Sequence, residues 1–412
     1  MRRTIAPNPW VVLGLLTGFW GLVGLNRIGI TYLFPVIVPE FHMAYWQASL
    51  LISGTSFAWA FSSWLSGWLS DHYGRRRVLL PGAAVAVVST AAMGGAWNFW
   101  SMFVIRDVVG IGDGVGWPNA QAVLATEFPA KRRALVQAIF TSGYTLFGSV
   151  LGALIVTRLA ATLGWRPVFP IISAVFLLVV IGLYFFLREP ERTAVKATAR
   201  PQWWDAIKVV RNRTVLLLVI VQAGALSWLQ VAVGFNSLFL SRVRHIDLVT
   251  IGTVTAIMGV ASLVGTLVLP YVSDFVGRKP AICVAGLLSA ACLALYVLGD
   301  FGLGVSTFLL AASGFFYAVI IPLAAATCVV ESVPADVQAT AMGAINFGGV
   351  IIGTFLMPIL GGVLADQIGL SSPMLLAAGA VAVSGLVILG IPETAPRLLE
   401  RRQAAAAGMP AD

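Results

Sequence analysis

The sequence predicts an all-α membrane protein of twelve transmembrane helices, arranged as two pseudo-symmetric six-helix bundles, and three observations carry that prediction. The first is a scarcity of charge: 59% of the 412 residues are hydrophobic, only 10% are charged, and the mean hydropathy is +0.92. A soluble domain carries roughly 25% charged residues. The second is a succession of apolar runs, each long enough to cross a bilayer at about 20 residues per helix. The third is an internal repeat that relates the first six runs to the second six. A soluble enzyme is excluded, and little chain is left for any extramembrane domain.

The runs fall near 10–38, 46–70, 78–96, 99–126, 134–161 and 167–187, then near 214–239, 249–273, 281–299, 302–330, 337–365 and 372–391. Strands would need the alternating pattern of a closed barrel, which is absent, so helices are the spanning element. The expected organisation is a bundle over 1–187, a linker over 188–213 and a second bundle with a short tail over 214–412. The linker is rich in charge and holds a Trp203-Trp204 pair, which reads as an amphipathic segment on the inner membrane face. The start, MRRTIAPNPW, runs straight into the first apolar stretch without a small-residue cleavage pattern, as expected of an uncleaved first span.

The net charge of +9 reads as topology. Of the 26 Lys and Arg residues, 20 lie at the termini or in alternate gaps, including Arg75 to Arg77, Lys131 to Arg133 and Arg278-Lys279. That is the positive-inside bias, with both termini cytoplasmic. A nucleic-acid partner is not implied. Cys283, Cys292 and Cys328 sit in apolar runs without metal-ligand spacing and read as small core side chains, so neither a disulfide framework, a metal nor a cofactor is expected.

The repeat is most visible in two loops. Between the second and third runs stands Gly67-Trp-Leu-Ser-Asp71-His-Tyr-Gly74-Arg75-Arg76-Arg77, and between the eighth and ninth Pro270-Tyr-Val-Ser-Asp274-Phe-Val-Gly277-Arg278-Lys279. Parallel six-span repeats about an axis normal to the membrane are a transporter architecture, with the binding site near the midplane. An acid at a helix end can pair with an arginine and with a helix terminus, bonds that must break when two bundles rock. Asp71, Arg75, Asp274 and Arg278 therefore read as gating latches. The pattern G-x-x-x-D-x-x-G-R-R/K resembles the signature loop of the major facilitator superfamily, and the resemblance extends over essentially the whole chain.

Ionisable residues inside spans cost a few kcal/mol each and mark function by default. All of those at depth lie in the first half: Arg27, Arg106, Asp107 and Asp113. Arg27 lies roughly 25 Å from the inner end of its span at 1.5 Å per residue, and Asp113 roughly 22 Å from the outer end of its own. A guanidinium is always charged and grips a carboxylate bidentately, which suits an anionic substrate. A buried carboxylate that takes a proton in one state and releases it in another suits proton coupling. Two alternatives stand beside these roles: a structural partnership of Arg27 with Asp107 or Asp113, and specifically a static Arg27–Asp113 salt bridge. Arg106, Asp113 and Trp117 are seven and four residues apart and fall on one face of a continuous helix. The glycines between them read as packing positions, because no strand precedes them as a phosphate loop requires.

The run Arg106-Asp107-Val-Val-Gly-Ile-Gly-Asp113-Gly-Val-Gly-Trp117-Pro118 is similar to the fourth-span signature of the anion:cation symporters within that superfamily. The resemblance implies that Arg27 contacts a substrate carboxylate and Asp113 carries the proton, with Arg106 tuning Asp113. Two departures are plain: the fourth-span acid of that family is usually glutamate, and its sugar-acid members often place an aspartate where this chain has Asn26. With a single deep proton carrier, a one-proton symport of a monoanion is the simplest fit.

Tyr32, Trp117 and Tyr144 in the first half, and Gln222, Gln230, Tyr317 and Asn346 in the second, complete the expected substrate contacts. Asn236 is a further deep hydrogen-bonding residue. The expected protein is a monomeric carrier in a cell membrane, a bacterial inner membrane, that imports a small organic monocarboxylate such as a sugar acid, hydroxy acid or aromatic acid with a proton. Its partners are that anion, the proton and the bilayer. A proton-driven exporter of amphipathic compounds and a transporter-like membrane sensor are the rival readings. Exporters of this type usually carry a proline-containing, glycine-rich fifth span, and the proline is missing here.

Overall fold

The computed structural model describes residues 8–129, 132–189, 212–334, 337–395 and 398, and among them there is no strand. The twelve spans form in order. In the first half they are Pro9–Glu40, Tyr45–Tyr73, Arg75–Met93, the pair Phe99–Gly114 and Gly116–Glu127, Leu135–Leu163 and Trp165–Phe186. In the second half they are Arg213–Arg242, Leu248–Val276, Arg278–Leu298, Leu303–Ser332, Thr340–Ile368 and Ser371–Gly390. Ten are long and apolar enough to cross a membrane on length and composition alone; the second span is diluted by serines and the fourth is interrupted. The linker and its Trp203-Trp204 pair lie outside the described residues.

The continuous helix expected over 99–126 is broken. The chain turns at Val115, between Gly114 and Gly116, where three glycines in five residues weaken the helix. The tenth span turns at Ala318-Val319, 203 residues further on, which is also the spacing of Asp71 and Asp274. The repeat thus extends from the loops to the interruption of the fourth helix in each half. Widened, π-type turns occur in the fifth span at Tyr144–Leu151 and in the eleventh at Val350–Leu356. Such turns re-aim side chains and often accompany functional sites.

The loop glycines have a physical reason. Gly74 and Gly277 adopt φ of +103° and +106°, a region that side-chain-bearing residues rarely enter. A Cβ at either position would also lie 2.6 Å from a carboxylate oxygen, of Glu189 and of Glu393 respectively. Each carboxylate closes over its glycine to accept two backbone N–H groups at the start of the following helix. Glu189 takes those of Arg75 (2.6 Å) and Arg76 (3.1 Å), and Glu393 those of Arg278 (2.8 Å) and Lys279 (3.2 Å). These donors have no partner within the helix, and an anion at a helix N-terminus is favoured by its dipole.

The chain divides into two compact units, residues 1–194 with 237–256, and residues 195–236 with 257–412. Inside the first unit the first and fifth spans touch backbone to backbone. A Cβ on Gly148 would meet the Gly24 carbonyl carbon at 3.0 Å, and one on Gly24 would meet the Tyr144 carbonyl oxygen at 2.7 Å. Close approach through small residues is how helices associate where lipid supplies no hydrophobic drive. Ser237 donates its hydroxyl to the Thr31 carbonyl in the same unit. In the second unit Trp228 Nε1 donates to Ser313 Oγ (2.9 Å), and Ser289 and Ser313 each donate to the other's main-chain carbonyl (2.9 Å).

Candidate functional site

Four spans of the first unit bring a charged layer and an aromatic layer together. Arg27 is half-buried; its Nη2 donates to Ser56 Oγ at 3.1 Å and its guanidinium carbon lies 4.7 Å from the centre of the Trp59 ring. Ser56 and Trp59 are one turn apart on the second span, so one helix face supplies both an acceptor and a π surface. Of the five N–H donors of a guanidinium, one is engaged here.

Asp113 is wholly buried. Its Oδ1 accepts a long bond from Asn26 Nδ2 (3.4 Å), and its Oδ2 has no partner. Arg106 is also buried, and it spends its fork on the backbone: Nη1 donates to the Asn26 carbonyl and Nη2 to the Arg27 carbonyl at 2.7 Å, while Nε is unpartnered. No two of Arg27, Arg106, Asp107 and Asp113 come within ion-pair distance of one another. Neither a static Arg27–Asp113 bridge nor an Arg27–Asp107 pair forms in this structure. The brace that Arg106 supplies to the backbone beside Arg27 was not foreseen from sequence, because spacing along a helix cannot show which carbonyls of a neighbouring helix face it.

Asp107 points elsewhere. It is half-buried against the second span, where a Cβ on Gly54 would lie 2.7 Å from its unpartnered Oδ1.

The aromatic layer lies about 10 Å from Arg27 along the first span, seven residues at 1.5 Å each, toward its N-terminal end. Trp20 is its centre, with ring centroids 4.9 Å from Trp117, 5.7 Å from Phe140 and 5.4 Å from Tyr144. Trp20 and Phe140 are buried, while Trp117 and Tyr144 are half-buried and offer surface. Tyr144 opens the π-type turn of the fifth span and rests on Gly24, between Trp20 and Arg27. It lies within electrostatic reach of Arg27, Asp113 and Arg106. The expected contacts Arg27, Asp113, Trp117 and Tyr144 are therefore assembled in one place. Tyr32 stands apart: it is buried and its hydroxyl donates to the Gly148 carbonyl at 2.9 Å, a bond between the first and fifth spans. Trp20 and Trp59, aromatic walls expected from the sequence, stand beside these residues, while Ser56 and Phe140 line the same place without a sequence signal beyond the one-turn spacing of Ser56 and Trp59 on a face of the second span.

In the second unit, Gln222 is buried with Oε1 unpartnered, Gln230 is half-buried and Asn346 is exposed. Tyr317 stacks on Trp228 at 3.8 Å and 19°. Asn236 accepts the Tyr296 hydroxyl at 2.8 Å. Among the latch residues, Arg278 pairs with both Asp274 and Glu331 (3.1 Å to the latter) and donates to Ser273 Oγ at 2.6 Å. Arg75 donates to the Ala122 carbonyl at 2.6 Å, and Asp71 is exposed with no ion pair among the described residues. Glu189, Glu331 and Glu393 were missed from sequence. A repeat-aware reading of Glu189-Pro190 and Pro392-Glu393, at the ends of the sixth and twelfth spans, would have raised two of them.

The chain is 27% identical over 183 residues to a probable sulfoacetate transporter of Cupriavidus necator, a match spanning 44% of this chain and 42% of that protein. It is 25% identical to the cis,cis-muconate transport protein of Acinetobacter baylyi over 89% of this chain and 90% of that one. It is also 27% identical to a multidrug resistance protein, MdtG, of Salmonella arizonae over 60% and 61% of the two chains. Among solved structures, an inward-facing bacterial homologue of the human lysosomal transporter Spinster matches with a TM-score of 0.77 and 18% identity, covering 94% of this chain and 96% of that one, which establishes the fold. The sequence profile of the Major Facilitator Superfamily matches residues 19–355. A twelve-helix chain with repeated loop motifs, repeated helix breaks and that profile over most of its length belongs to the Major Facilitator Superfamily, and it is a membrane transporter, not an enzyme.

Proposed function

We propose that this transporter takes up a small organic monocarboxylate together with one proton, by alternating access of its two six-helix halves, as a monomer in a bacterial inner membrane with both termini cytoplasmic. The observation that supports the reading most is that Arg27 and Asp113 lie one side chain apart without pairing: Asn26 joins them, with its amide on Asp113 and its own backbone leading into Arg27. A paired arginine and aspartate would neutralise each other. Held apart, the guanidinium keeps four donors for a carboxylate, and Asp113 keeps a bare oxygen for a proton.

The charges then balance. The substrate carboxylate brings one negative charge to Arg27, and a proton forms an O–H bond on Asp113 Oδ2 without displacing Asn26 from Oδ1. The halves change access carrying no net added charge, and the proton and the anion leave together. Arg106 holds the carbonyls of Asn26 and Arg27, so the guanidinium is presented from a fixed backbone. The Asp71–Arg75 and Asp274–Arg278 motifs act as latches that form and break in the cycle. The muconate and sulfoacetate relatives, both named for carriers of organic acids, agree with an anionic substrate.

The multidrug relative favours a second reading, a proton-driven exporter. Right-side-out vesicles separate the two. Adding benzoate, lactate or gluconate to de-energised vesicles should alkalinise the medium if substrate and proton enter together. Acidification, or counterflow of neutral amphipathic dyes in preference to any acid, would establish the exporter instead.

A further inference from the structure

Resting on the carboxylate reading above, we infer that the first-unit site is built for a planar, conjugated carboxylate, an aromatic or unsaturated acid, in preference to a polyhydroxylated or saturated one. The surfaces beside Arg27 are aromatic. Trp59 lies under the guanidinium at 4.7 Å, and Tyr144 and Trp117 present half-buried rings backed by Trp20 at 5.4 and 4.9 Å. A carboxylate gripped by both arms of a guanidinium lies in its plane. In a conjugated acid the carboxylate is coplanar with the body, so the body continues that plane away from Arg27 as a thin slab. A saturated ring or a chain of sp3 carbons leaves the plane at the first carbon.

Gly24 makes room for this on the first span. A Cβ there would lie 2.9 Å from Tyr144 Cδ2, so the ring rests directly on the backbone, three residues from Arg27. The distance along the span from Arg27 to Trp20, about 10 Å, matches a slab of one ring or a short diene. A polyhydroxylated acid would need several donors and acceptors along that length. Between Arg27 and Trp20 the first span offers Leu22, Val23, Gly24, Leu25 and the amide of Asn26, which is already on Asp113. Trp59 Nε1 is itself buried without an acceptor.

The test is a matched panel on the purified full chain in nanodiscs, read by calorimetry. It comprises benzoate against cyclohexanecarboxylate, sorbate against hexanoate, gluconate, and benzamide as the uncharged control. The expected result is that each planar acid binds about tenfold tighter than its saturated partner, equivalent to about 1.4 kcal/mol, and that gluconate binds more weakly still. Trp117→Leu should shrink the preference below about threefold, while Tyr144→Phe, which keeps the ring, should leave it. The panel on the unaltered protein stands even where a variant fails to fold. Equal binding of planar and saturated acids, abolished by Arg27→Lys, overturns this inference and leaves the carboxylate reading intact. Benzamide binding as tightly as benzoate, indifferent to Arg27→Lys, overturns the carboxylate reading itself, and binding of no acid in the panel overturns both.

Discussion

The two halves repeat one another in helix order, loop motif and helix interruption, yet they place their charges in opposite ways. The first half carries Arg27, Arg106, Asp107 and Asp113 at depth and leaves its loop motif without ion pairs: Arg75 reaches a backbone carbonyl, and both Asp71 and Glu127 lack an ion pair among the described residues. The second half has no ionisable residue at depth, and its loop is closed by Arg278 with Asp274 and Glu331. In its interior some neutral groups bond one another, as Trp228, Ser289 and Ser313 do, while Gln222 Oε1 and Thr354 Oγ1 have no partner. The difference teaches that the repeat sets the frame, while a few side chains on that frame decide which half carries buried charge and which closes its loop with ion pairs.

The largest expected effect would break the comparison at its centre. Arg27→Lys keeps the charge and loses the planar fork, and counterflow of the carried acid in proteoliposomes should fall about 100-fold, the equivalent of one or two charge-assisted hydrogen bonds. Near-normal counterflow would remove Arg27 from the substrate site. Asp113→Asn should separate exchange from accumulation: exchange at zero gradient stays within about threefold, and accumulation driven by a pH gradient disappears. Retained accumulation would assign the proton elsewhere, with Asp107 the first alternative.

The loop comparison is sharpened by a matched pair of variants. Glu331→Gln removes an acceptor from a largely buried Arg278 and should destabilise the protein by about 1.5–3 kcal/mol, visible as a lower Tm. Its counterpart by position, Glu127→Gln, should change stability by less than about 0.5 kcal/mol. Equal losses would mean that the first-half latch is also closed in solution. Within the neutral interior, Ser313→Ala strands the Trp228 indole N–H and should cost about 1–3 kcal/mol with transport otherwise retained.

The smallest effect lies in the loop before the eighth span, where Asp247 caps the helix. Hydrogen bonds from Thr250, side chain first and then backbone, with a further backbone bond from Val249, hold its carboxyl below the usual aspartate range. A depressed carboxyl stabilises the fold above its unfolded value, near pH 4, and loses that contribution as pH falls through the folded one. Asp247→Ala should therefore lower Tm slightly at pH 7 and by less once the pH has fallen below the folded value. An equal loss at both would show that the cap acts through packing alone.

Much of this was legible without coordinates. Every span was placed to within a few residues, because apolar length is a local property and the bilayer imposes it on each helix separately. The depth of Arg27, Arg106 and Asp113 in the bundle was legible for the same reason, since a charge in an apolar run is conspicuous. What each charge touches was not. Arg106, expected to tune Asp113, also braces two carbonyls, and the hydroxyl of Tyr32, expected at the substrate, is tied to Gly148. The break at Val115 was hidden because three glycines read equally well as packing positions and as a weak point.

The sequence by itself determined the number of helices, the repeat, the superfamily and which half holds charge, since each depends on residue type and order along the chain. Only the tertiary structure decided that Arg27 and Asp113 are neighbours without being partners, that Glu189 and Glu393 close over their glycines, and that Arg278 is ion-paired while Arg75 reaches a backbone carbonyl. Those facts rest on distances of a few ångströms between groups 29 to 115 residues apart. Hydrogen bonds and ion pairs are decided at that scale, and the packing that sets it is shared among all the helices at once.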